Sequence, residues 1–148
     1  MEAVLQVVGR ATNSERAAFW APDLTHRKLR VIASWSTVAL KPSAPYRGMR
    51  YGTALRCRMN AAHVWRTRKP FWSGSMLLDT AHALPGAAEL RSGVWFAVKS
   101  DTVVYGVIEL LGRVLEQRTP DNLFVLERLG VRLGQAFEEG HHGDLQWH

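Results

Sequence analysis

The residues best suited to chemistry cluster in the segment RYGTALRCRMNAAHVWRTRKPFW, residues 50–72. It holds Cys57, the only cysteine of the 148-residue chain, with His63, Trp65 and Trp72 among six arginine or lysine residues. A thiol, an imidazole and two indoles can line a ligand or chromophore site, and the basic side chains can bind a polyanion. The same residues also suit an ordinary piece of core with a charged outer surface.

The hydrophobic period of this segment favours the core interpretation. Apolar residues alternate with arginine or small residues over 50–59, which predicts a strand with one packed and one wet face. Asn60 is then expected to cap a short helix, AAHVWRTR, which ends before Lys69-Pro70 and covers the interior. FWSGSML follows as another strand. The packed face of the first strand holds Tyr51, Thr53, Leu55, Cys57 and Met59.

Charge is distributed unevenly along the chain. The net charge is +6, and residues 24–78 contain eleven arginine or lysine residues and no aspartate or glutamate. Residues 79–148 contain ten acidic residues and six basic ones. Such a split often marks a basic patch that meets an anion, a nucleic acid or an acidic neighbour. The interleaving of these basic residues with strand-like apolar positions favours a solvated face instead.

The rest of the chain predicts one α+β domain. Val4, Leu5, Val8 and Ala11 have helical spacing, RAAFWA and KLRVIASW form an antiparallel hairpin, and VWFAVKS and VVYGVIELLG form a second one about Asp101-Thr102. KPSAPYRG is expected to be a loop, and DTAHALPGAAELRSG a loop or short helix. Thr119-Pro120-Asp121 starts a last helix with the apolar stripe Leu126, Leu129, Leu133 and Phe137, which ends at Gly140.

Five motifs in this order resemble the GAF family of small sensory domains, over about residues 3–139. They are Trp20 to Trp35 on the first hairpin, His63-Val64-Trp65 to Pro70-Phe71-Trp72, Trp95-Phe96-Ala97-Val98, Val104 to Glu109 with Gly106 between, and Asp121 to Leu133-Gly134-Gln135. The resemblance implies a central antiparallel sheet of about six strands, with the terminal helices on one face and short helices and loops over a pocket on the other.

The resemblance also implies a non-catalytic domain of a bacterial signalling protein. A small molecule would bind between the sheet and the covering helix, and the terminal helices would pass the signal to an output domain or a partner protein. The alternatives are a structural dimerisation module with a filled pocket and a basic surface that binds nucleic acid. Val94, Phe96 and Val98 fall on one face of their strand and Trp95 and Ala97 on the other, but the sequence does not say which face is the pocket.

Departures from the family pattern argue against binding of the cofactors known in the family and against the activity of its enzymatic branch. The chain has no Asp-Glu dipeptide, which disfavours cyclic nucleotide, and Arg58 follows Cys57 where bilin-binding relatives usually have histidine. His63 does not align with a haem ligand, and no metal site is expected. A single cysteine disfavours the sulfoxide reductase chemistry of the enzymatic branch. Glu109 has the family's strand-end acid position without a visible partner, and Arg68 occupies a place where glycine is common.

Three groups of residues are therefore candidates for function, and catalytic residues are not among them. The ligand pocket is expected to contain Trp35, Tyr51, Cys57, His63, Trp65, Trp72 and Trp95. A homodimer interface is expected at Leu5, Val8, Phe124 and Val131. The basic surface comprises Arg50, Arg56, Arg58, Arg66, Arg68 and Lys69.

The ends of the chain and its apolar runs bear on domain organisation and location. The domain is expected to span residues 1–140, with 141–148 an exposed tail or the start of a linker. No apolar run approaches the roughly 20 residues that span a bilayer, and MEAVLQVVGR does not read as a secretion signal. With one cysteine and therefore no internal disulfide, a cytoplasmic location is predicted.

Overall fold

The computed structural model describes residues 1–23, 25, 28–37, 51–74, 92–112 and 120–142, and only the backbone of 51–56, 120, 141 and 142. Three helices and five strands lie within these ranges. They are α1 (Glu2–Ala11), β1 (Arg16–Asp23), β2 (Lys28–Ser36), α2 (Tyr51–Thr67), β3 (Phe71–Ser73), β4 (Ser92–Lys99), β5 (Val104–Gly112) and α3 (Pro120–His142). The loop expected at KPSAPYRG and the loop or short helix at DTAHALPGAAELRSG lie outside the described residues.

The five strands form one antiparallel sheet in the order β2-β1-β5-β4-β3. Both predicted hairpins are confirmed, and the strand expected at FWSGSML is present as β3. The β4–β5 turn is closed by the backbone N–H of Ser100, which donates to the carbonyl of Val103 at 2.8 Å. About six strands were expected, and the described part of the chain contains five. The predicted α+β architecture is otherwise confirmed.

The sheet is covered by helices on both faces. Its central strands therefore bury alternate side chains in two separate cores, one on each face. Val94, Phe96 and Val98 of β4 pack against α1 and α3, whereas Trp95 and Ala97 pack beneath α2. The predicted alternation in β4 is therefore confirmed, and the face left open by the sequence is decided: Trp95 lies on the α2 face. Strands buried on both faces have almost continuous apolar runs, as β4 and β5 do.

The strand predicted over residues 50–59 is wrong, because residues 51–67 form the single helix α2. Its buried stripe is Cys57, Ala61 and Val64, at the i, i+4, i+7 spacing of a helix face. Met59, expected on the packed face, has 61% of its surface exposed. Asn60, expected as an N-cap, lies in the middle of the helix. The prediction that this segment ends before Lys69-Pro70 is correct.

The last helix, α3, packs directly on β4 through glycine. Leu126, Leu129, Leu133 and Phe137 contribute to the α1/α3 core, as predicted, and the helix extends two residues beyond Gly140. A β-carbon added at Gly130 would overlap the carbonyl oxygen of Ala97, and one at Gly134 would overlap that of Lys99. No side chain larger than hydrogen fits at either position without moving the helix away from the strand.

Helix α2 ends at a residue with a left-handed backbone. Arg68 has φ 63°, and its N–H donates to the carbonyl of Val64 at 2.8 Å, as in an αL helix ending. The Nζ atom of Lys99 donates to the Arg68 carbonyl at 2.7 Å, which fixes this end of the helix to β4. The place where the family commonly has glycine therefore has the conformation that glycine favours. Within the described ranges, no helix has the length and apolarity needed to cross a membrane.

We expect Arg68→Gly to stabilise the domain by about 0.5–1 kcal/mol, because glycine adopts positive φ without the steric cost of a β-carbon. The backbone hydrogen bonds at this position do not depend on the side chain. Urea denaturation of the two proteins measures the difference. The matched control is Arg66→Gly, inside the helix, which should destabilise by about 1 kcal/mol. Equal destabilisation by both substitutions would contradict the role of the left-handed conformation.

Candidate functional site

The layer between α2 and the sheet is densely packed in its described part. Cys57, Ala61 and Val64 of α2 are fully buried. They share one core cluster with residues from four of the strands. Trp95 of β4 is the largest of the fully buried side chains. These apolar groups hold the covering helix against the sheet by burial, which contributes roughly 1.5–3 kcal/mol for each large side chain.

A fully buried carboxylate, Glu109, lies on the same face at the centre of β5. The indole Nε1 of Trp95 donates to its Oε2 at 2.7 Å, and the Nε1 of Trp20 donates to the same oxygen at 3.2 Å. Trp95 lies directly opposite Glu109 across the β4–β5 ladder. The sequence showed no partner for this acid, because Trp20 lies 89 residues away and the Trp95–Glu109 pairing depends on the register of the β4–β5 hairpin. We call Glu109, Trp20, Trp95, Cys57 and Arg16 the carboxylate cluster.

The remaining members of the carboxylate cluster add a thiol and a positive charge. Arg16 is buried on β1, and its register opposite Leu111 places it diagonally from Glu109 on the same face. Opposite charges buried in one region offset part of each other's desolvation cost. Burial raises the pKa of the Cys57 thiol well above its ordinary value, the Glu109 carboxylate raises it further, and Arg16 partly opposes this. The thiol is therefore protonated at neutral pH and is a poor nucleophile.

The cluster is thus suited to hold structure or to accept a hydrogen bond, because its thiol is buried beside a carboxylate that raises the thiol's pKa and opposes its ionisation. Among the described residues, no three histidine, cysteine, aspartate or glutamate side chains are placed to bind a metal ion. His63 is exposed, and its ring packs edge-on against Phe71 with 5.7 Å between centroids. An exposed imidazole of this kind is not positioned to ligate haem inside an apolar cavity.

The predicted pocket residues divide between the two faces of the sheet. Cys57, Trp65 and Trp95 lie in or against the α2 core, and the structure describes no side chain for Tyr51. Trp35 and Trp72 pack against the other core, beneath α1 and α3, so the structure does not bring them together with the rest. The ring of Trp35 covers Gly9 of α1. Its strand runs beside the α1 helix, which the sequence pattern did not indicate.

The residues expected at a dimer interface also divide. Leu5 and Val8 are buried in the protomer's own core, so they are not available to a second chain in this structure. Phe124 has 57% of its surface exposed, and Val131 is half-buried. The exposed part of the expected interface therefore belongs to α3 alone.

Most of the predicted basic residues that the structure describes are exposed. Arg58 and Arg66 lie on α2, and Arg68 and Lys69 lie just after it. Arg50 lies outside the described residues, and Arg56 is in α2 but its side chain is not described. The basic residues therefore follow the helix and its end, and do not form the outer face of a strand.

A groove of about 610 Å³ lies between α2 and the end of the first hairpin where β1 finishes at Asp23 and β2 begins at Lys28. Pocket volumes of roughly 300–1,000 Å³ are usual for small-molecule sites. We call this space the hairpin groove. Pro22, Asp23, Lys28 and Leu29 contribute from β1 and β2, and Arg58, Ala62, Trp65 and Arg66 contribute from α2. The sequence analysis placed Trp65 in a pocket but did not predict this groove. Positions 58, 62, 65 and 66 share one side of a helix, and that relation is lost when residues 50–59 are interpreted as a strand.

We expect Trp95→Phe to destabilise the protein by about 1–3 kcal/mol more than Trp72→Phe, because only the first removes a donor from a buried carboxylate. Both substitutions remove a similar part of a ring. The Nε1 of Trp72 is buried with no hydrogen-bond partner among the described residues, so its loss breaks no such bond. Urea denaturation at neutral pH gives both values. Equal losses would show that the indole–carboxylate bond contributes little.

Solved structures similar to this chain identify the fold. One is a free methionine-R-sulfoxide reductase from Neisseria meningitidis in complex with its substrate. Its TM-score is 0.66 at 16% sequence identity, and the alignment covers 96% of this chain and 78% of the reductase chain. A red/green cyanobacteriochrome in its green light-absorbing state has a TM-score of 0.70 at 14% sequence identity. That alignment covers 95% of this chain and 92% of the cyanobacteriochrome chain.

A third similar structure is the GAF domain of an Acinetobacter phosphoenolpyruvate-protein phosphotransferase, with a TM-score of 0.64 at 12% identity over 95% of this chain and 81% of that one. No protein-family model and no curated protein sequence matches the chain. Sequence identities this low carry the architecture and leave the activity open. The structural neighbours and the strand order described above together show that this chain has the GAF fold.

Proposed function

We propose that this chain is a non-catalytic, small-molecule-sensing regulatory domain of a bacterial signalling protein. Its ligand binds between α2 and the sheet, at the hairpin groove, and the signal leaves through α3 and α1. The domain spans residues 1–140 and acts in the cytoplasm on an output domain or a partner protein.

The observation that carries this proposal is the contact of one strand with both layers. Strand β4 places Trp95 beneath α2, and on its other side its carbonyls at Ala97 and Lys99 touch Gly130 and Gly134 of α3. Because the backbones of α3 and β4 meet directly at these two glycines, a displacement of the strand is transmitted to the helix. A ligand that moves α2 against Trp95 would therefore bias the position of the terminal helix.

The state of the single cysteine supports a regulatory role over an enzymatic one. Free methionine-R-sulfoxide reductases share the fold, so the fold itself does not separate the two classes. The Cys57 thiol is buried and held in its protonated form. Thiol chemistry requires an accessible thiolate, and the carboxylate cluster works against one.

A thermal-shift screen of small metabolites, followed by hydrogen exchange, tests the proposal. A ligand at one hundred times its dissociation constant adds about 2.7 kcal/mol to stability. We expect at least one compound to raise the melting temperature and to change amide exchange in α3, and Ala62→Phe, which fills the hairpin groove, to abolish both effects. Ala136→Phe, exposed on α3, is the control. A hit that binds Ala62→Phe unchanged, or leaves α3 exchange unchanged, contradicts the proposal.

A structural dimerisation module is the second candidate, and the exposed apolar stripe of α3 favours it. Phe124 and Val131 are seven residues apart, and between them the Arg128 guanidinium lies 5.8 Å from the Phe124 ring centroid. Val125 beside them has 63% of its surface exposed. An apolar stripe of this kind on a terminal helix suits a helix–helix contact between two copies.

We expect the protein to sediment as a dimer, and Phe124→Ser with Val131→Ser to sediment as a monomer, because the pair removes the apolar stripe from the interface. Sedimentation velocity at several concentrations measures the change. Val7→Ser is the matched control, since Val7 is exposed on α1 at 67%. A parent protein that is monomeric at all concentrations, or a double variant that remains dimeric, overturns the assignment of this interface.

A further inference from the structure

The structure brings part of the chain's unpaired positive charge to one groove. Helix α2 carries no acidic residue along its 17 positions. Two of its arginines, Arg58 and Arg66, reach the hairpin groove from one side, and Lys28 reaches it from β2. These three belong to the run of eleven basic residues that contains no acid. The groove therefore concentrates a charge that the sequence distributes over more than fifty residues.

The spacing on α2 explains how both arginines face the same space. Positions 58, 62 and 66 recur every four residues, so they lie along one side of the helix. This side is adjacent to the buried stripe of Cys57, Ala61 and Val64, which precede the three positions by one, one and two residues. Arg58 and Arg66 are about 12 Å apart along the helix axis, at a rise of about 1.5 Å per residue. The two side chains therefore leave the helix a little over two turns apart along the groove.

Among the described residues that line the groove, Asp23 is the one acid, and it is already engaged. The Oδ1 atom of Asp23 accepts the backbone N–H of Thr25 at 3.0 Å, and its Oδ2 accepts Nη1 of Arg30 at 3.4 Å. Only 11% of the Asp23 side chain is exposed. In the part of the chain that the structure describes, Lys28, Arg58 and Arg66 make no ion pair with an acidic side chain. The groove thus presents positive charge to a ligand.

Between these cations the described lining of the groove is mainly apolar. Leu29 is buried at 8% exposure, and Ala62 and the half-buried Trp65 lie beside it. A half-buried indole offers a face on which a planar ring can stack, and guanidinium groups bind carboxylate and phosphate oxygens in a plane. This combination differs from a charged surface that attracts any counter-ion, because the apolar lining contributes binding energy only for a ligand that has a ring.

We infer that the hairpin groove binds a small planar aromatic molecule that carries a carboxylate or phosphate group. The ring packs between Leu29 and Trp65, and the anion bonds to Arg58, Arg66 or Lys28 at the rim. The inference rests on the proposed function for the site and adds the chemical class of the ligand. It favours a small molecule over nucleic acid, because Arg68 and Lys69 lie beyond the groove and do not extend its rim.

Isothermal titration calorimetry with four probes tests the inference on the full chain. The probes are 1-naphthyl phosphate, 1-naphthoate, the neutral 1-naphthalenemethanol and inorganic phosphate. We expect at least one naphthyl anion to bind at least tenfold more tightly than the alcohol and than inorganic phosphate, because neither of those offers both the ring and the charge. Whichever naphthyl anion binds more tightly distinguishes a phosphate ligand from a carboxylate ligand.

Substitutions of groove residues test whether the probes bind in the hairpin groove. Arg58→Gln with Arg66→Gln should weaken the preferred anion by about tenfold or more, since a hydrogen bond to a charged group contributes about 1.5–3 kcal/mol. Trp65→Leu should weaken all naphthyl probes alike. Arg132→Gln, which removes one exposed charge on α3 away from the groove, is the control and should change nothing. All three arginines are exposed, so these variants are expected to keep the parent melting temperature.

The outcomes separate this inference from the proposed function. Equal affinity for the alcohol and the anions, an unaffected double variant, or tighter binding of a short DNA duplex than of either anion at low salt overturns the ligand class. If neutral metabolites bind instead and Ala62→Phe blocks them, the sensory proposal stands without the anion. If the naphthyl anions bind the groove but α3 exchange does not change, the ligand class stands and the sensory proposal fails.

Discussion

The burial of the Glu109 carboxylate is the constraint on which the centre of this fold depends. An ionised group without solvent costs several kcal/mol unless donors replace the lost water. Two indoles supply such donors at 2.7 and 3.2 Å, one from β4 and one from β1. To do so, both neighbouring strands have to be in register with β5. A slip of one residue would turn Glu109 toward the other core and leave both indoles unpaired.

This constraint also sets the surface on which α2 rests. With Trp20 and Trp95 held by their hydrogen bonds, the sheet presents two immobile rings to the helix. Cys57, Ala61 and Val64 have small or short side chains, so the helix can approach them closely. On the opposite face, Gly130 and Gly134 allow α3 a similarly close approach to β4. The sheet therefore lies between two helical layers that are both in direct contact with it.

Charge and packing separate cleanly on α2. One side of the helix carries the buried stripe, and the adjacent side carries Arg58 and Arg66 at the rim of the hairpin groove. Part of the basic charge that the sequence shows between residues 24 and 78 is therefore located at the rim of the groove. Arg68 and Lys69 continue the charge beyond the helix, where Lys99 links the end of α2 to β4 and to Glu127 of α3 at 3.1 Å.

The sequence by itself determined the two hairpins, α1, α3 and the faces of β4, because each has a local signal: alternation over several large apolar residues, a turn of polar residues, or a capped helical stripe. It misplaced 50–59, since the buried stripe of Cys57, Ala61 and Val64 gives a weak hydrophobic signal while the exposed Met59 gives a false one. Only the tertiary structure decided the partners of Glu109, the separation of Trp35 and Trp72 from the α2 face, and the hairpin groove. Each of these depends on contacts between residues far apart in the chain, which local periodicity does not encode.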